Sequence, residues 1–244
     1  MTPIDRIAHT NRWRTRSLIE KGLFAGGLLC VALLAPPWPT ALAVIVVAAL
    51  AVTLGAGVAP RALLLALAGP LGFVLTGAAT LLIEIGPRGV ALAPDGLSAA
   101  SALALRSTAA IVALLTLALT TPVTDLLAAA RRLRLPAEIV EIALLTYRFL
   151  LLLGETAIAM NAAQEARLGH VGAMRRIRSA GTLAANLLPR ALDRARRLEI
   201  GLAARGWTGG ALEVLSPSRA VSPAGLVAVI ATLAALALVG GLAR

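Results

Sequence analysis

The sequence predicts an all-α, polytopic membrane protein of about five transmembrane helices, with long amphipathic helices inserted before the last span. Three observations carry this. The 244 residues are 59% hydrophobic and 14% charged, whereas a soluble domain carries roughly 25% charged residues. Several apolar segments approach the ~20 residues needed to cross ~30 Å of hydrocarbon. Ala and Leu dominate, and the alternating segments of about ten residues that mark a membrane barrel are not evident. A net charge of +11 adds orientation, because Lys and Arg gather in cytoplasmic loops. The single cysteine, Cys30, excludes a disulfide framework and a cysteine-based metal cluster.

Residues 1–17 carry Arg6, Arg12, Arg14 and Arg16 and read as a basic cytoplasmic tail. No small-residue cleavage site follows the first apolar run, so a signal peptide is not expected. That run, 18–35, is the first span. Gly22 and Gly26 in it suit a close-packing helix face. The turn Pro36–Pro39 carries Trp38, a side chain suited to a membrane interface. Residues 40–58 form the second span, Ala59-Pro60-Arg61 a short basic turn, and 62–83 the third span, with Glu84 at its interfacial end. Residues 84–98 hold Gly86-Pro87 and Pro94-Asp95-Gly96 and read as a loop. Residues 99–120 are the fourth span. Arg106 lies inside it, and snorkelling from the outer end is preferred to pairing within the bundle.

Thr121-Pro122 reads as a helix start, with Thr as N-cap and Pro at the first position. Asp125 favours that end of the dipole, and Arg131-Arg132 the other. Pro136 opens a long helix over 137–169. Its Glu138, Glu141, Arg148 and Glu155 fall at spacings of 3, 7 and 7, a single polar stripe. This suits a helix lying along the membrane surface rather than crossing it. Over 180–205, Ala184, Leu188, Ala191, Ala195, Leu198 and Leu202 recur at 4-3-4-3-4, a heptad-like seam. Arg190, Arg194 and Arg197 line another face. Pro189 predicts a kink, or a helix start near Asn186, and Gly206 a stop. A polar linker over 207–219 leads to the last span at 222–242. The chain thus divides into a membrane bundle (1–122), an inserted region (123–219) and a final span (220–244). Counting crossings from a cytoplasmic N-terminus keeps 123–219 inside and puts Arg244 outside.

The densest charge lies in 161–206, where nine arginines stand against Glu165, Asp193 and Glu199. Two tripeptides recur there, Ala166-Arg167-Leu168 and Ala204-Arg205-Gly206, each closing a helical pattern beside a glycine. An arginine at a helix C-terminus is stabilised by the dipole at ~0.3–1 kcal/mol, which accounts for either one alone but not for the repeat. Arg175-Arg176-Ile177-Arg178 reads as a solvated or lipid-headgroup face. No phosphate-binding glycine loop, zinc spacing or nucleophile triad is present, since Gly206-Trp207-Thr208-Gly209-Gly210 lacks the lysine such a loop needs. His9 and His170 read as surface histidines.

Several strings, taken in order, carry a resemblance. They run from Leu105-Arg106-Ser107 through Thr120-Thr121-Pro122-Val123-Thr124-Asp125-Leu126-Leu127 and Arg131-Arg132-Leu133-Arg134-Leu135-Pro136 to Leu145-Thr146-Tyr147-Arg148-Phe149. Ala163-Gln164-Glu165-Ala166-Arg167, Leu187-Leu188-Pro189-Arg190, Arg194-Ala195-Arg196-Arg197-Leu198 and Ala203-Ala204-Arg205-Gly206-Trp207 complete them. Over most of 100–210 the chain resembles the transmembrane coupling subunit of energy-coupling factor transporters, the EcfT/CbiQ family of the prokaryotic cytoplasmic membrane. The resemblance implies a multi-pass subunit without catalysis or cofactor of its own. It implies docking on two ABC-type ATPases through Ala166, Arg167, Ala204, Arg205 and Gly206. It also implies a separate membrane subunit that binds the substrate, a vitamin or a transition-metal ion. Leu188, Leu198 and Leu202 are expected to pack the coupling helices. Leu168 departs from the family pattern, which has glycine there, and Gly169 follows one position later.

On the residues alone two other classes stay open. One is a membrane-bound enzyme acting on lipids or isoprenoids, for which Glu138 and Glu141 are the available acids. The other is a membrane-tethered binder of nucleic acid or anionic lipid. With 3% aromatic residues the chain has little base-stacking capacity, which argues against nucleic acid.

Overall fold

The computed structural model describes residues 3–86, 89–131, 135–208 and 220–242. Its elements are α1 (Pro3–Thr10), a 3-10 turn (Arg12–Thr15), α2 (Leu18–Leu34), α3 (Pro37–Leu50) continued by a π turn (Ala51–Gly55), α4 (Pro60–Thr80), β1 (Ile83–Gly86), β2 (Gly89–Leu92), α5 (Gly96–Thr120), α6 (Val123–Ala130), α7 (Ala137–Ala166), α8 (Ala173–Ala204) and α9 (Pro223–Leu242). The described parts of Pro3–Leu126 and Pro217–Arg244 form one compact unit, and those of Leu127–Ser216 a second.

In the first unit α5 is the central post. It packs against α1, α2, α3 and α4, while α9 covers α2 and α3. The core is built from small and β-branched side chains. Leu28, Val44, Ala48, Ala109 and Ala113 are fully buried, which lets apolar helices approach closely. One glycine that permits such approach is Gly27, where an added Cβ would collide with Leu233 of α9. Gly22 and Gly26 have no neighbour within 4 Å of an added Cβ, so the packing face lies elsewhere on α2 than their spacing suggested.

Each expected span coincides with a helix: α2, α3 with its π turn, α4, α5 and α9. Among the described residues five helices are long and apolar enough to cross a membrane, and they are Pro37–Gly55, α4, α5, α7 and α9. Two differences from the sequence reading follow. At 17 residues α2 is roughly 26 Å long, somewhat short of the hydrocarbon thickness. At 30 residues α7, read as lying along the membrane, is also capable of crossing by length and composition.

The segment 84–98 is not wholly loop. β1 and β2 pair antiparallel, with Ile83 opposite Leu92 and Gly86 opposite Gly89. Alternation of Ile83, Glu84 and Ile85 favours a strand, and the short run was masked by its turn residues. The N-terminal segment is also more ordered than a tail. Trp13 meets the Phe24 ring edge-on at 6.0 Å. Asn11 donates from Nδ2 to the carbonyls of Leu119 and Thr120 at 3.2 and 3.3 Å.

Arg106 pairs within the bundle rather than snorkelling. Its Nη2 donates to the Ala35 carbonyl at 3.1 Å, at the C-terminal end of α2, where helix carbonyls lack partners and the dipole favours a cation. Thr121 is not an N-cap. It closes α5, its N–H bonding to the Leu117 carbonyl at 2.9 Å, and its buried Oγ1 has no hydrogen-bond partner among the described residues. Pro122 instead occupies the capping position of α6, accepting at its carbonyl from Asp125 and Leu126.

In the second unit α7 and α8 pack against each other. α8 begins at Ala173, before the expected 180, so Arg175, Arg176 and Arg178 lie in its first turns. It runs unbroken through Pro189. The carbonyl four residues earlier, at Ala185, loses its helical donor. Ala185 and Pro189 are both exposed, so water can supply the missing partner. The half-buried line on α8 is Leu183, Leu187, Ala191, Leu198 and Leu202. Leu188 is 64% exposed, so over the first half of α8 the buried line sits one residue from the expected seam. Expectations for Arg132, Gly209, Gly210, Arg244 and the linker beyond Thr208 fall outside the described residues.

Candidate functional site

The two tripeptides end α7 and α8 in the same local geometry. At the first, Arg167 is the C-cap of α7 with φ −93° and ψ 17°. Leu168 follows in the left-handed region at φ 59°. Its N–H bonds to the Glu165 carbonyl at 2.9 Å, and the Gly169 N–H bonds to the Gln164 carbonyl at 2.8 Å. At the second, Arg205 is the C-cap of α8 with φ −93° and ψ 10°, and Gly206 follows at φ 77°. The Gly206 N–H bonds to Ala203 at 3.0 Å and the Trp207 N–H to Leu202 at 3.1 Å. Both are Schellman motifs, in which two reversed hydrogen bonds satisfy carbonyls the helix leaves open.

This geometry explains why leucine is tolerated at 168. The left-handed conformation costs a non-glycine residue roughly 1–2 kcal/mol, and the doubled hydrogen bond holds it there. Glycine is needed one residue later for a different reason. A Cβ on Gly169 would lie 2.8 Å from Ser179 Oγ and 2.9 Å from the Gln164 carbonyl oxygen. Ser179, on α8, donates to the Gly169 carbonyl at 3.0 Å, fastening the first tip to the next helix. Among the described residues nothing lies within 4 Å of a Cβ at Gly206, and there glycine answers the positive φ.

Ala166, Arg167, Ala204, Arg205 and Gly206 are all exposed. Among the described residues neither Arg167 nor Arg205 has an ion pair or a side-chain hydrogen bond. An apolar residue follows each arginine within two positions, Leu168 at one tip and Trp207 at the other. The first tip precedes the start of α8 and the second forms its end, so α8 separates them. Thirty-two residues make a strut of roughly 48 Å. Leu198 lines a cleft with Leu145 and Phe149 of α7 and Leu202 is half-buried, whereas Leu188 is exposed.

Three polar groups in the other unit went unremarked in the sequence. Lys21, only 3% exposed, donates from Nζ to the Thr120 carbonyl at 2.9 Å, a carbonyl that Asn11 also holds. Glu20, 4% exposed, accepts at Oε1 from the backbone N–H of Ser222 at 2.6 Å, just before α9. A cation at the end of α5 and an anion at the start of α9 both match the helix dipoles. The signal was an adjacent acid–base pair at the mouth of an apolar run. Among the described residues no three His, Cys, Asp or Glu side chains gather to hold a metal ion.

A bundle of long apolar helices in one unit and a pair of packed helices with two cationic ends in the other define the class: a multi-pass α-helical membrane protein. Residues 10–215 match the CbiQ family, described as cobalt transport protein, and the chain belongs to that family. It is 53% identical to the cobalt transport protein CbiQ of Rhodobacter capsulatus over 239 residues, 98% of this chain and 97% of that one. It is 27% identical to the CbiQ of Salmonella typhimurium over 222 residues, 86% of this chain and 98% of that one. An uncharacterized protein of Methanocaldococcus jannaschii is 34% identical over 115 residues, 47% of this chain and 43% of that one. The chain is accordingly a transport component of the prokaryotic cytoplasmic membrane.

Proposed function

We propose that this chain is the transmembrane coupling subunit of an energy-coupling factor importer. It links ATP hydrolysis by two ABC-type ATPase subunits to uptake of a substrate held by a separate membrane subunit. In this reading residues 1–122 are the membrane bundle, 123–219 the coupling region and 220–244 the final span. The observation that carries the reading is the pair of exposed, Schellman-capped arginines at the two ends of α8. Two equivalent docking points held about 48 Å apart by one stiff helix suit two copies of a partner. Each guanidinium can fork to a partner carboxylate, with Leu168 or Trp207 supplying apolar contact beside it. Displacement of either partner then passes along a helix axis. The chain hydrolyses nothing itself. Because its relatives are named as cobalt transport proteins, we propose a divalent cobalt ion as the substrate in preference to a vitamin.

The test is charge reversal at the tips. Breaking one buried interfacial charge pair commonly costs about 2–5 kcal/mol. Arg167→Glu/Arg205→Glu should therefore reduce ATP-driven uptake of labelled cobalt below about a tenth of normal and release the ATPases on purification. Membrane abundance should be unchanged. Arg176→Glu, the same reversal as at either single tip but on an exposed part of α8, is the control and should act weakly. Normal uptake by the double variant would overturn the coupling role. Equal damage by Arg176→Glu would mean that bulk charge, not the tips, makes the contact.

A further inference from the structure

We propose that a cleft between α7 and α8 binds the headgroup of an anionic phospholipid. The cleft, of ≈ 330 Å³, is rimmed by Arg148 of α7 and by Arg194 and Arg197 of α8, over a floor that includes Leu145, Phe149 and Leu198. Arg194 and Arg197 are three residues apart and share a helix face. Arg148, the one cation in the polar stripe of α7, lines the same cleft. Among the described residues none of the three guanidinium groups has an ion pair or a hydrogen bond. Glu141 and Glu155 stand seven residues to either side of Arg148, ~10 Å along the axis. Three like charges around one cleft repel, and the arrangement calls for a counter-charge from outside the chain.

The surroundings identify the chemistry of that counter-charge. A phosphodiester offers oxygens that guanidinium groups bind in forked pairs. The apolar floor would take up the first methylenes of an acyl chain, which a free phosphate or an acidic peptide does not carry. α7 is apolar enough to lie in or at a bilayer, and its Ile139, Ile142, Leu150 and Ile158 are exposed. The occupant is thus an anionic amphiphile, and phosphatidylglycerol serves as its probe. This inference rests on membrane placement and not on the ATPase reading.

The experiment uses the full-length protein in phosphatidylcholine vesicles containing spin-labelled phosphatidylglycerol. The immobilised lipid fraction is read by electron paramagnetic resonance. The intact chain should hold about one immobilised anionic lipid more than Arg148→Gln/Arg194→Gln/Arg197→Gln, whose selectivity for phosphatidylglycerol should fall at least about fivefold. Arg175→Gln/Arg176→Gln/Arg178→Gln removes the same charge from an exposed basic run and should lose only diffuse, mobile lipid. The Lys version of the first triple keeps charge and should keep more than half of the immobilised lipid, which separates lost charge from lost fold. Equal loss in both Gln triples would overturn the proposal, as would an unchanged immobilised fraction in the first. It would also fail if the first Gln triple kept its lipid but lost its partner subunits, because the cleft would then hold a protein carboxylate.

Discussion

At the scale of single residues, the tips show two different demands that lead to glycine. Gly206 is required by its positive φ, and Gly169 by the 2.8 Å approach of Ser179 Oγ to where a Cβ would sit. Leu168 occupies the left-handed position that glycine fills at the other tip. Leu168→Gly should therefore raise the thermal stability of the purified protein by about 1 kcal/mol, by removing left-handed strain. Gly206→Ala should lower it by a similar amount through φ alone. Gly169→Ala should cost more, since it also displaces Ser179 from its carbonyl. Differential scanning fluorimetry in detergent, with all three variants at matched concentration, checks the order. A Gly169→Ala variant more stable than Gly206→Ala would remove the close-approach argument. The arginines themselves were legible in the sequence because they recur beside alanine. The shared hydrogen-bond pattern was not, because Leu168 breaks the tripeptide while leaving the backbone geometry intact.

At the scale of elements, composition was a good guide to which segments become helices and a poor guide to which residues face inward. All five expected apolar segments fall on helices, since length and hydropathy are summed over about twenty residues and tolerate local error. Which residues of α8 face inward depends on where its neighbour lies, which local spacing does not record: Leu198 and Leu202 are half-buried, whereas Leu188, placed by the same pattern, is exposed. Polar partners of buried groups were least legible. Lys21 meets a carbonyl 99 residues away, a pairing no local spacing records. The packing side of α8 leads to a contrast between two leucines. Leu198→Glu places a charge against Phe149 and beside Arg194 and Arg197, and should weaken recovery of the assembled complex several-fold through loss of hairpin packing. Leu188→Glu, exposed, should leave hairpin stability within about 0.5 kcal/mol. Protease resistance of the α7–α8 region reads the packing directly. Equal resistance in the two variants would show that Leu198 is not part of the buried line.

At the scale of the whole molecule, the open choice is whether α7, which is long enough, adds a sixth crossing to those of α2, α3, α4, α5 and α9. Three arguments favour five crossings, with α2 among them and α7 not. A span a few ångströms short is accommodated by slight bilayer thinning, at fractions of a kcal/mol per Å. Near its start, Lys21 is already paired with the Thr120 carbonyl inside the bundle, so its charge meets a partner there rather than hydrocarbon. Crossing by α7 would instead carry Arg175, Arg176, Arg178, Arg190, Arg194, Arg196, Arg197 and Arg205 to the outer face, against the inward bias of basic loops. The two arrangements invert both ends of the sequence that follows α7. In a Cys30→Ser background, a cysteine at 178 should resist a membrane-impermeant maleimide in intact spheroplasts and react only after lysis. A cysteine at 244 should react without lysis, because α9 then makes the fifth crossing. If 178 labels from outside and 244 does not, α7 spans the bilayer, and cytoplasmic ATPases have no access to Arg205. The pair of sites is needed because leaky spheroplasts would label both, and a buried position neither. Only opposite behaviour at the two sites fixes the parity.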